Sequence, residues 1–253
     1  MPDDVGPDRP GETAPGPTHP QHPRLTPSME RGRQSERYFL LLGLLLIDML
    51  VIGLAGSGRV ATFFYAPTTA AVLIMALRTS KARPTTMRVG WVAGAIVVLV
   101  SAVVAITGKT SLNYLVYFLL LALLLMAPLA IGRRILLSKR VTLHLVAGAI
   151  CVYLMLGLIF TFAYLGINGV HPDFFVQGPQ KDPAVFLYFS FVTITTTGFG
   201  DYTAQYDFSR VLVIFEAIMG QVFLVTTVAR LVSLYSSAEP DLGDTLREAK
   251  GGE

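Results

Sequence analysis

Charge is scarce in this chain of 253 residues: Asp, Glu, Lys and Arg make up 15% of it, against 53% hydrophobic residues. Soluble domains carry about 25% charged residues, so an ordinary water-soluble fold is excluded. Cysteine is nearly absent. Cys151 stands alone inside an apolar run, so no intrachain disulfide can form, and no metal-ligand spacing surrounds it. It reads as a small hydrophobe facing lipid or a helix. The short loops hold no phosphate-binding glycine loop, nucleophile set or metal cluster. An enzyme is therefore not expected, and neither is a cofactor. The net charge is only +3, and the basic clusters lie beside apolar runs, which explains them without a nucleic-acid partner.

What the chain has is length of apolar sequence. Six runs stand out, at about Tyr38–Gly56, Val60–Leu77, Val89–Thr107, Leu112–Gly132, Val141–Leu165 and Phe208–Tyr235. Each has roughly the 17–25 residues that cross ~30 Å of hydrocarbon, the last slightly more. The expected fold class is an all-α membrane protein with six transmembrane helices. The first run follows a long polar stretch and does not read as a cleaved signal peptide. Basic residues alternate in placement. Arg31, Arg33 and Arg37 precede the first run; Arg78, Lys81, Arg83 and Arg88 follow the second; Arg133, Arg134, Lys139 and Arg140 follow the fourth. The intervening connections carry only Arg59, Lys109 and Lys181. The positive-inside rule places both termini in the cytoplasm of a multi-pass cell-membrane protein.

Four regions follow. Residues 1–36 hold eight of the fifteen prolines without apolar periodicity, and are expected to be a disordered cytoplasmic N-terminus. Residues 37–134 form a four-helix transmembrane domain, with very short outer turns that imply two antiparallel hairpins. Pro67 and Pro128 should bend its second and fourth helices or mark their ends. Residues 135–236 form a helix, a re-entrant loop and a helix. Residues 237–253 form a short charged tail, too short for a nucleotide- or calcium-binding module, so any soluble regulator is unknown.

The loop of the third region is the most specific feature. Asp182 followed by Pro183 is a helix start, a capping side chain before proline at the first helical position. The helix from Pro183 to about Thr195 is too short to span a bilayer and must be buried in protein at depth. Thr195-Thr196-Thr197-Gly198-Phe199-Gly200-Asp201 comes next. Two glycines separated by one residue let the backbone alternate left- and right-handed conformations. Such a strand turns successive carbonyls to one side, and four strands around an axis would replace the water shell of a small cation.

This segment resembles the selectivity filter of the potassium channel pore-loop family, usually Thr-Val-Gly-Tyr-Gly-Asp, in a bacterial six-helix, voltage-gated-like layout. The resemblance implies a homotetramer in the lipid bilayer, with K+ as the permeant ion. It implies ion sites at Thr196, Thr197, Gly198, Phe199 and Gly200, with K+ held at Thr196 to Phe199. Asp201, and the aromatic pair Tyr188 and Phe189, would support the filter. Gly220 would be the hinge of the inner helix. Thr197 departs from the usual valine and Phe199 from the usual tyrosine, so a weakly selective monovalent cation channel is the alternative.

Glu216 is an acid inside the last run, expensive unless paired or wetted, and is expected to hydrogen-bond the pore helix or the base of the filter. Asp48 poses the same problem in the first run, without an evident basic partner. Val213, Glu216, Gly220, Phe223 and Thr227 share a helical spacing. His171 lies in the outer loop, where a plain surface histidine and an external pH sensor both remain open. The fourth run, Leu112–Gly132, contains no Arg or Lys. Moving a charge across the field supplies ~2.3 kcal/mol per 100 mV, so strong voltage gating is not expected.

Overall fold

The computed structural model describes residues 27–57, 61–80, 82–108, 113–136 and 143–236. Seven helices follow one another: α1 (Pro27–Leu54), α2 (Ala61–Thr79), α3 (Pro84–Thr107), α4 (Asn113–Leu136), α5 (Leu143–Val170), α6 (Pro183–Ile194) and α7 (Asp207–Ser236). Among the described residues there is no strand, only an isolated antiparallel bridge between Phe175 and Ala204. Five helices are long and apolar enough to cross a membrane: the Glu36–Leu54 part of α1, α2, α3, the Val146–Val170 part of α5 and the Asp207–Arg230 part of α7. The described apolar part of α4, Asn113–Pro128, is shorter.

Two boundaries move. Residues 1–36 were expected to be disordered, but α1 begins at Pro27, so residues 27–36 are helical. Proline is suited to a first helical turn, where its missing N–H has no partner to lose. Residues 1–26 and the tail 237–253 lie outside the described residues. Helix α4 runs to Leu136, which puts the boundary at 134 inside its last turn. Pro67 and Pro128 both sit within helices rather than at their ends. Just after Pro67 the Thr68 and Thr69 hydroxyl oxygens lie 2.9 Å from the Tyr65 carbonyl, an alternative acceptor for their protons.

Helices α1 to α4 pack together, α2 touching α1, α3 and α4, and this unit docks on α5 through α1 and α4. Asp48 is fully buried in it. Its carboxylate accepts from Thr68 Oγ1 at 2.5 Å and from Thr69 Oγ1 at 2.9 Å, so hydroxyls take the place of a basic partner. Tyr65 stacks between Tyr117 of α4 and Phe162 of α5, joining the four-helix unit to the pore-side helices. Cys151 is buried, with its Sγ 3.7 Å from the Tyr38 carbonyl, the helix-facing hydrophobe expected.

Candidate functional site

The short helix α6 starts as its sequence requires. The Asp182 side chain accepts from the Ala184 N–H at 3.0 Å, and Pro183 occupies the first position. At twelve residues it is too short to span a bilayer. Aromatic rings seat it against α5 and the loop that follows. Phe189 meets Tyr164, Phe174 and Phe175 at centroid distances of 5.3, 6.1 and 5.0 Å. The expected aromatic pair therefore divides. Phe189 turns back into the chain's own core, while Tyr188 stacks on the Phe199 ring, nearly parallel at 6.4 Å. Side chains one residue apart on a helix point about 100° from each other, so only one of the two can face the filter.

Past Ile194 the backbone leaves the helix in a tight, exposed loop. The Thr196 N–H donates to the Thr193 carbonyl at 2.8 Å, and the Thr197 and Gly198 N–H groups donate to the Val192 carbonyl at 3.0 and 3.2 Å. The loop is thus tied through its donors to the last turn of α6. Its φ angles are positive at every second residue: Thr196 +56°, Gly198 +56° and Gly200 +80°. This is the left–right alternation that the Gly-x-Gly spacing implied. Glycine meets it without a Cβ penalty, whereas Thr196 accepts about 1–2 kcal/mol of strain. The Thr195 and Thr197 hydroxyls lie 2.9 Å apart and pair with each other.

Helix α7 closes the site from the other side. Glu216 is fully buried, and its two oxygens accept from Ser190 Oγ of α6 and Tyr164 OH of α5, each at 2.5 Å. Ser190 Oγ also reaches the Gly157 carbonyl at 2.7 Å. One acid thereby ties three helices together. One turn further, Gly220 lies against the C-terminus of α6, where a Cβ would come within 2.5 Å of the Ile194 carbonyl oxygen. That same oxygen accepts from Tyr153 OH at 3.0 Å. Helix α7 is unbroken through Gly220, so in this conformation the residue serves close packing. Phe223 stacks on Tyr153 at 5.9 Å, so the stripe from Glu216 to Phe223 faces α5 and α6.

Three contributors were missed in the sequence. Tyr164 and Ser190 hold Glu216, and Gln221 Nε2 donates to Thr196 Oγ1 at 3.0 Å, joining α7 to the loop after α6. Only the polar character of Gln221 in an apolar run could have flagged it. Outside the filter, the Val176 N–H donates to the Thr203 carbonyl and the Gln205 N–H to the Phe174 carbonyl, at 3.0 and 2.9 Å. Arg210 Nε adds a bond to the Ala204 carbonyl at 3.1 Å, bracing the outer mouth. His171 rests on the Tyr206 ring at 5.5 Å. Among the described residues no group of His, Cys, Asp and Glu could hold a metal ion.

A short apolar helix and a loop with alternating backbone hand thus lie between two long helices. Residues 148–237, from α5 through α7, match the family model described as ion channel. The match bears out the pore-loop resemblance, and the five membrane-capable helices among the described residues fit a multi-pass membrane protein. No curated protein and no solved structure matches the chain.

Proposed function

We propose that the protein is a potassium-selective channel in which four copies surround one axis, each supplying Thr196 to Gly200. The alternation of φ at Thr196, Gly198 and Gly200 carries this reading. With the N–H groups of residues 196–198 turned back to α6, the carbonyls are left to face an ion. A single strand cannot enclose a cation, and closed symmetry supplies the other three. The burial pattern favours the same assembly. The apolar window of α7 is 11% buried within one chain against 78% for α5, so α7 and the filter are the parts awaiting neighbours. Helix α6 with its loop would re-enter the membrane from outside, α4 would be the sixth span, and both termini would be cytoplasmic, as in a bacterial channel of this layout.

Helix α4 has no basic residue from Asn113 to Gly132, and Asp48 is satisfied by threonines, so the four-helix domain lacks the charge pairs of a voltage sensor. Opening would bend α7 at Gly220 away from its seat on Ile194. Reversal potentials of purified protein in mixed K+ and Na+ solutions test selectivity. A reversal that ignores the K+ gradient refutes it and favours the weakly selective alternative, for which Thr197 and Phe199 speak. Flux unchanged by Gly198→Leu would remove the assigned pore.

A further inference from the structure

A second site lies away from the filter, at the other end of α6. A cavity of about 360 Å³ opens between the turn after α1, the beginnings of α2 and α4, the end of α5 and the segment leading into α6. It falls within the ~300–1,000 Å³ of small-molecule sites, and at ~30 Å³ per molecule it would take about 12 waters. Three of its lining side chains carry a buried polar atom without a hydrogen-bond partner among the described residues: Thr62 Oγ1, Asn113 Oδ1 and Asn168 Oδ1. Thr62 is 2% exposed.

Buried polar atoms are almost always paired, and three orphans around one cavity call for an occupant that supplies donors. Both amide oxygens can only accept, and the threonine hydroxyl can also accept. Lys181 is the one charged residue of the lining among the described residues, and a lysine there disfavours a cation. Tyr117 and Leu165 give an apolar wall. We propose that this cavity binds a small uncharged amphiphile whose hydroxyl or amide N–H groups donate to Thr62, Asn113 and Asn168 while its apolar part rests on Tyr117 and Leu165. Such a ligand would sit between the four-helix unit and Pro183, the first residue of α6. The inference concerns binding alone and does not depend on what the filter conducts.

The test is saturation-transfer NMR on the full chain in lipid nanodiscs, with benzyl alcohol as probe and toluene as its match without a donor. Benzyl alcohol is expected to give a saturable signal that toluene lacks. The double variant Thr62→Val, Asn113→Leu should weaken it at least about tenfold. Ser57→Trp, at an exposed lining position, should block it without touching the core, and carries the test if the double variant does not fold. Equal saturation by toluene, or unchanged benzyl alcohol binding in the double variant or in Ser57→Trp, would overturn the proposal in favour of a water- or lipid-filled hollow.

Discussion

Replacing Gly220 by alanine should pry α7 from the end of α6. The new Cβ would stand 2.5 Å from the Ile194 carbonyl oxygen and 2.7 Å from Ile194 Cγ1, where ordinary contact begins at 3.4 Å. The two helices must therefore part by about 0.9 Å, the difference of those two distances, or the carbonyl must turn. Turning is opposed, because Tyr153 OH already holds that oxygen at 3.0 Å. Overpacking of this size costs about 1–3 kcal/mol, and for a chain of this length each kcal/mol lowers Tm by about 2–4 °C. Ile194 immediately precedes the filter loop, so K+ flux should fall along with stability. Gly43→Ala is the control: its Cβ meets nothing within 4 Å, and helix propensity alone should leave it neutral or up to ~1 kcal/mol more stable. Thermal unfolding in detergent and flux into proteoliposomes read both effects. A Gly220→Ala protein that melts and conducts like Gly43→Ala would refute the close approach. A pure hinge would instead lose open-channel flux at unchanged Tm.

Tyr164→Phe and Ser190→Ala should each destabilise by about 1–3 kcal/mol, and the double variant by less than their sum, since both donate to Glu216; thermal unfolding of the four proteins measures the coupling. Thr196→Gly should hold or raise stability by relieving about 1–2 kcal/mol of strain at φ +56°, yet conduct less because the hydroxyl that meets Gln221 is gone; equal flux from Thr196→Gly and Thr196→Ser would discard that role. Tyr188→Phe keeps the ring on Phe199 but removes the hydroxyl that lies toward Asp201, and should speed the decay of current during sustained opening, seen by planar-bilayer recording. In the same recordings open probability should be flat with voltage. A steep dependence would mean that charges outside α4 move through the field.

Much of the site was legible locally. Asp182-Pro183 starts α6 through contacts two residues apart, and the Gly-x-Gly spacing announces the φ alternation because the conformational cost belongs to the residues themselves. The start of α1 was misplaced since proline-rich composition outweighed the signal of Pro27 at a first helical turn. The roles of Tyr188 and Phe189 were drawn as a pair, and only the packing of Phe189 on Phe174 and Phe175 separates them.

By itself the sequence determined the membrane class, the approximate positions of the helices and the backbone alternation of the loop after α6, because hydropathy, caps and glycine spacing act over a few residues. The tertiary structure alone decided how that loop is held. Glu216 meets Ser190 and Tyr164 across 26 and 52 residues, Gln221 meets Thr196 across 25, and Gly220 makes room for the backbone of Ile194. Those pairings depend on which faces of three helices come together, and packing geometry of that kind has no period or motif along the chain.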